Sequence, residues 1–201
     1  MESPREIHME ALMKIVGYIK RTKDYKIIYN GNNKELVAYI DASYNISDEN
    51  NKSVTGMVIL LAGAPIHWIS KRQTVNTNST MDSELTALNT TLINVLNFKY
   101  LLNELDWKIK LPTIIYEDNN PLICRIQNKT NYTGEQKLSR QFNNIISAVN
   151  SKEVEVKKVD TVSQLADIFT KSVGKIKFIP IRQLLNIRKI TENPLNDMEE
   201  C

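Results

Sequence analysis

Along the chain the apolar positions change period several times, and each change marks an element. Ile7, Leu12, Ile15, Val16 and Ile19 recur at helical spacing over residues 6–20, and the cluster Lys20, Arg21, Lys23 marks the end of that helix. Three β-prone runs follow: 35–41, "VTGMVILLA" at 54–62, and "PIHWIS" at 65–70. Gly31, the polar stretch 45–53, and Gly63 with Pro65 punctuate them, and the short gap at 63–64 predicts a hairpin. Met81, Leu85, Leu88, Leu92, Val95 and Leu102 share one stripe, which predicts a helix over 80–105 opened by Ser79 with Asp82 three residues on. "LPTIIYED" reads as a strand, and Asn120-Pro121 opens a helix with proline in its favoured first position. A further helix is expected at 137–149. Next come a half-exposed strand in "EVEVKKV" at 153–159, a short helix capped by Ser163 and running to Lys171, and a last helix in "KFIPIRQLLNI".

Three strands and then alternating helices and strands predict an α/β fold, a mixed sheet flanked by helices. A crossover helix separates 35–41 from 112–118, so these should be parallel neighbours, with 54–62 and 65–70 extending the sheet antiparallel on the other side.

Composition narrows the setting. The chain has 201 residues, 42% of them hydrophobic, enough for one domain, or one domain plus an appendage. It contains no run long and uncharged enough to span a membrane, and "MESPREIHMEALMK" has no apolar signal core. The two cysteines, Cys124 and Cys201, do not suggest a disulfide framework, so an intracellular, reducing setting is expected. Net charge is +3, but the tail from Thr191 holds four acids and no base, which leaves +7 on residues 1–190. That balance permits a polyanionic partner without requiring one.

Four acids stand in unusual places. Asp41 ends the apolar run "LVAYID", and Asp118 ends "PTIIYED"; ligands bind at the carboxyl ends of strands in open α/β sheets. Glu84 falls on the flank of the apolar stripe of the long helix, where it should meet the sheet. Asp167 lies in a first helical turn beside Leu165, Ile168 and Phe169. Each has an ordinary explanation, Asp41 as a turn cap and Asp167 as a partner of the helix dipole. As a set of two acids at strand ends and two able to face them, they suit Mg²⁺, and two ions about 4 Å apart can clamp a phosphoryl displacement.

"VAYIDASYN", "KSVTGMVILLAGAPIHWISKRQ", "NSTMDSELTAL", "YEDNNPLI" and "QLADIFTK" resemble successive blocks of the ribonuclease H domain of copia-type retrotransposon Pol polyproteins, over roughly 35–188. "PREIHMEALMKIVGYIKRTKDYKIIY" is similar to the end of the reverse transcriptase segment that precedes it. The resemblance implies a ribonuclease H-like mixed five-stranded sheet. It divides the chain into a reverse transcriptase remnant at 1–34, a ribonuclease H-like domain at 35–174, and a C-terminal helix with an acidic tail at 175–201, and the chain reads as a C-terminal piece of a polyprotein. It also implies hydrolysis of the RNA strand of an RNA–DNA hybrid by Asp41, Glu84, Asp118 and Asp167. These would hold two Mg²⁺ ions, with Mn²⁺ as a substitute, one ion activating water and the other stabilising the leaving 3′ oxygen. Ser43, Thr80 and Asn120 become candidates for reading the 2′-hydroxyl, and Lys71, Arg72 and Lys157-Lys158 for phosphate contacts. The expected partners are the hybrid and the reverse transcriptase portion of the same polyprotein, in the cytoplasm within a virus-like particle.

One departure stands out. Copia-type domains carry a Lys-His-Ile-Asp-like block between the third and fourth acids, where this chain reads "NYTGEQKLSRQFNNII". The only histidines are His8 and His67, and His67 reads as a packing residue. Ala-Ser-Tyr after Asp41, in place of Ala-Asp-Trp, is a milder change. The alternative reading is therefore a catalytically weak or inactive relic that at most binds nucleic acid. An integrase-like nuclease fits less well, because its acidic series ends in Glu.

Overall fold

The computed structural model describes residues 5–29, 31, 34–44, 52–74, 77–130, 132 and 135–190. In chain order these form α1 (Glu6–Arg21), β1 (Tyr25–Ile27), β2 (Leu36–Ser43), β3 (Val54–Leu61), β4 (Ala64–Arg72), α2 (Thr80–Glu104), β5 (Thr113–Glu117), α3 (Asn120–Asn128), α4 (Gln136–Asn150), β6 (Val154–Lys158), α5 (Asp167–Thr170), α6 (Lys175–Leu184) and β7 (Ile187–Lys189).

The main sheet has the order β4-β3-β2-β5-β6. β2 runs parallel to β5 and antiparallel to β3, and β3 pairs antiparallel with β4, as the pattern predicts. β2 is central because both its faces are apolar. Leu36, Ala38 and Ile40 join Leu85, Leu88, Leu92 and Val95 of α2 in the larger core, while Val37 and Tyr39 pack against the smaller core of Val58, Leu60, Leu165, Ile181 and Leu185. Each fully buried Leu or Ile contributes about 1.5–3 kcal/mol, so α2 is held firmly on its face of the sheet. The alternation of side chains puts Asp41 on the opposite face, with Val37 and Tyr39.

The predicted helix from Ser163 to Lys171 is instead a 3-10 turn, Thr161–Ser163, followed by α5. Gln164 causes the break. Its buried side chain donates from Nε2 to the Ile40 carbonyl (2.7 Å) and accepts at Oε1 from the Ala166 amide (3.2 Å), which gives the backbone an alternative to helix. α5 then lies close on the sheet above Gly56, the β3 residue paired with Asp41. A Cβ there would come within 2.5 Å of Thr170 Cγ2 and 3.0 Å of the Ala166 carbonyl oxygen, so only glycine permits this approach.

The segments flanking 35–174 meet one another. β1 pairs antiparallel with β7, Tyr18 of α1 sits edge-on to Phe178 of α6 (5.5 Å), and Arg182 lies over Tyr25 (4.3 Å). The remaining apolar face of α1, including Ile7 and Ile15, is exposed. No helix among the described residues is long and apolar enough to cross a membrane, and the acidic tail lies outside the described residues.

Candidate active site

Three of the four acids converge. Asp41 stands near the end of β2, Glu84 in the second turn of α2, and Asp118 just beyond β5. Each offers a carboxylate oxygen, and these oxygens all lie within 4.8 Å of one another. Asp41 and Glu84 are buried and Asp118 is half-buried. Parallel pairing of β2 with β5 brings the two strand ends together, and the Ser79 cap, which accepts from the Asp82 amide (3.1 Å), fixes the start of α2 beside them.

Charge at this density is costly. Burial, then the neighbouring Glu117, Asp41 and Asp118, push the Glu84 carboxyl up to about 10, against a lowering hydrogen bond from the Ala42 amide. Asp118 is raised by burial and by Asp41, with Lys171 opposing. Glu84 Oε2 is buried without a hydrogen-bond partner among the described residues. Hard oxygen donors held close, one of them orphaned, are what a divalent cation requires, so the residues present fit Mg²⁺ or Mn²⁺.

Two features of the site escaped the sequence reading. The first is Glu117, which is fully buried. Its Oε1 accepts from the amides of Asp118 (3.0 Å) and Asn119 (2.9 Å), and its Oε2 has no hydrogen-bond partner among the described residues. Burial holds its pKa well above the usual range, despite those two bonds. The signal was available, since Thr113, Ile115 and Glu117 share one face of β5 and the first two are core positions.

The second is the pair of cations on Asp167. This acid is fully buried but lies outside the three-acid group. Lys171 sits 2.7 Å from its Oδ1, and Lys177 of α6 bonds its Oδ2 and the Thr161 carbonyl (2.9 Å). Lys171 also reaches Asp41 Oδ2 at 3.5 Å, the oxygen to which the Thr170 hydroxyl donates. Burial works against the Lys171 ammonium, but Asp167 and Asp41 outweigh it and raise its pKa.

The remaining candidates lie around this centre. Ser43 is half-buried at the end of β2, while Thr80 and Asn120 are exposed first residues of α2 and α3. Lys71 and Arg72 are exposed on β4 and pair with Thr55 and Val54, whose other partners are Ala42 and Ser43. Two strand spacings, about 10 Å, therefore separate them from the Asp41 end of β2. Lys157 and Lys158 are exposed on β6, with Lys157 3.3 Å from Glu155. His67 packs against Phe98, ring centres 5.6 Å apart. In the segment where copia-type domains are expected to carry histidine, the Tyr132 hydroxyl donates to Asp82, two residues before Glu84 on α2. Residues 131, 133 and 134 lie outside the described residues.

No family model matches the chain. It is 27% identical over 191 residues to the retrovirus-related Pol polyprotein from transposon RE2 of Arabidopsis thaliana, covering 94% of this chain and 13% of that protein. It is also 27% identical over 187 residues to the corresponding polyprotein from transposon TNT 1-94 of Nicotiana tabacum, covering 93% and 14%. The chain thus spans about one seventh of the length of these relatives. Among solved structures it is similar to LC11-RNase H1, isolated from compost (TM-score 0.51, 17% identity, 68% of this chain and 92% of that one). The crystal structure of LC11-RNase H1 in complex with RNA/DNA hybrid gives a TM-score of 0.50 at 13% identity, covering 67% and 93%. An N-terminal RNase H domain from Mycobacterium tuberculosis, solved as a fusion with maltose-binding protein, gives 0.51 at 8% identity, covering 75% and 97%. The chain therefore has the ribonuclease H fold, and it is similar to copia-type Pol polyproteins over nearly its whole length.

Proposed function

We propose that the chain is a metal-dependent ribonuclease H that hydrolyses the RNA strand of RNA–DNA hybrids as part of a copia-type Pol polyprotein. The observation that carries this reading is the convergence of Asp41, Glu84 and Asp118 within 4.8 Å, with Glu84 Oε2 buried and unpartnered. These three would hold the divalent ion, with Asp167 beside them. When bound, the ion would supply a water of lowered pKa and neutralise charge on the phosphate under attack. The chain's own residues set the stage. The Thr170 hydroxyl orients Asp41 Oδ2, the Ala42 amide anchors Glu84, and the backbone amides of Asp118 and Asn119 hold Glu117 in place. Ser43, Thr80 and Asn120 would read the 2′-hydroxyl, and Lys71 and Arg72 on β4, two strands away, would meet phosphates further along the hybrid.

In this reading 1–34 is the end of a reverse transcriptase segment, 35–174 the nuclease domain and 175–201 its C-terminal extension. The rest of the polyprotein is a partner, in the cytoplasm. The missing histidine and the lysine pair on Asp167 favour a second reading, in which the fold persists with little or no activity. Incubation of the purified protein with a hybrid labelled on the RNA strand, in Mg²⁺ and beside an EDTA control, separates the two. Cleavage of RNA in Mg²⁺ alone is expected. Intact RNA in both Mg²⁺ and Mn²⁺ would leave only the relic.

A further inference from the structure

Asp167 is a fully buried carboxylate, and such a group must be compensated. An ammonium group lies against each of its oxygens: Lys177 bonds Oδ2, and Lys171 stands 2.7 Å from Oδ1 as an ion pair outside hydrogen-bond geometry. A divalent ion would need to approach those oxygens to about 2.1 Å, inside the space the ammonium groups occupy and against their charge. Lys171 does more than neutralise Asp167, because its nitrogen lies between Asp167 Oδ1 (2.7 Å) and Asp41 Oδ2 (3.5 Å) and spans the two carboxylates as a bridging cation would.

The two lysines are not equivalent. The Lys177 side chain is 30% exposed and is also tied to the Thr161 carbonyl. Lys171 is 47% exposed, sits on a flexible four-carbon stem and among the described residues is ion-paired with carboxylates alone, so it is the member that can leave.

We propose that in the free protein the Lys171 ammonium stands in the place of a second cation. The group of Asp41, Glu84 and Asp118 then takes one divalent ion, and a second can be held between Asp41 and Asp167 only when Lys171 is displaced. Lys177 remains behind as a positioning residue that keeps Asp167 aimed at the site. This rests on the reading of the three acids as a metal-binding active site.

The test is a count of bound Mn²⁺ on the full chain without nucleic acid, by the loss of the free-ion electron paramagnetic resonance signal, with thermal melts to confirm folding. One ion per chain is expected for the wild type, two for Lys171→Met, and one for Lys171→Arg, which keeps the cation. Lys177→Met should stay at one, because Lys171 still spans Asp167 and Asp41. The double variant Lys171→Met with Asp167→Asn should return to one. Two ions on the wild type, or one on a folded Lys171→Met, would overturn the proposal while leaving the nuclease reading intact, and the wild-type count does so without any variant. No Mn²⁺ on any form would overturn the nuclease reading as well.

Discussion

Removing one buried ionisable group should change how stability depends on pH. The perturbation is Glu84→Gln, which keeps the shape of the side chain and takes away its ionisation. In the native chain the Glu84 carboxyl is pushed up to about 10 by burial and by its acidic neighbours, while in the unfolded chain it returns to its ordinary value of 4.5. The fold therefore holds this proton more tightly than the unfolded chain does. Its contribution is fully present below the unfolded value and is lost as pH rises towards the folded one. Between pH 6 and 8 the group lies inside that window, and each pH unit costs about 1.4 kcal/mol, so about 3 kcal/mol disappears over the interval. For a chain of this size that corresponds to a fall in melting temperature of roughly 5–10 °C. Glu117, raised in the same direction, adds a share that survives the substitution. The assay is thermal unfolding in EDTA across pH 6–8. The wild type should melt lower as pH rises, with a distinctly shallower slope for Glu84→Gln. Adding Mg²⁺ should stabilise the wild type most at the alkaline end, where the ion competes with fewer protons. A wild type that gains stability from pH 6 to 8 without metal, or a variant with the same slope, would refute the burial of an uncompensated acid at this site.

Asp118→Asn should abolish Mg²⁺-dependent cleavage of a labelled hybrid and raise the metal-free melting temperature, because it removes one of the repelling carboxylates; full cleavage would exclude Asp118 from the site. Gly56→Ala should destabilise by about 1–3 kcal/mol in urea unfolding, since its Cβ meets Thr170 Cγ2 at 2.5 Å and must push α5 away from the sheet; an unchanged midpoint would show that α5 is not held there. Scanning histidine across 133–137 should raise the cleavage rate at one position by about 10²–10⁴-fold, with a new activity step near pH 6.5 that the wild type lacks; no gain at any position would show that the missing proton carrier is not what limits the site.

What could be read from the residues followed their periodicity. The strands around Asp41 and Asp118 were legible because they are buried on both faces and end abruptly in acids, and Glu84 because it interrupts an apolar stripe at a calculable angle. The start of the helix that holds Asp167 differs from the expected Ser163 because a single buried side chain, Gln164, replaces helical hydrogen bonds with a bond to β2, at a residue 124 positions away in sequence. No local pattern carries that information. Glu117 was passed over for the opposite reason. Its neighbour Asp118 supplied a sufficient acid at the strand end, although alternation along β5 turns Glu117 inward and leaves Asp118 only half-buried. β1 and β7 were invisible because each is three residues long and stable only through the other.

The C-terminal extension is where these threads join. The expected domain boundary at 174 would separate it from the nuclease, yet that line passes between Lys171 and Lys177, the two cations on one carboxylate. α6 brings Lys177 to Asp167 with the same turns that set Phe178 against Tyr18 and Arg182 over Tyr25. Ile181, fully buried, packs beside Leu165, two residues before Asp167. The N-terminal helix and strand, the C-terminal helix and the fourth acid are thus joined by direct contacts. Movement of α1 or α6 relative to the main sheet would act on the charge compensation of Asp167 before it reached Glu84, carried by α2, or Asp118, at the end of β5 within the sheet. In this architecture Glu84 and Asp118 are set by the main sheet and α2, the fourth acid answers to the flanking segments, and Asp41, in contact with Thr170 and Lys171, couples the two.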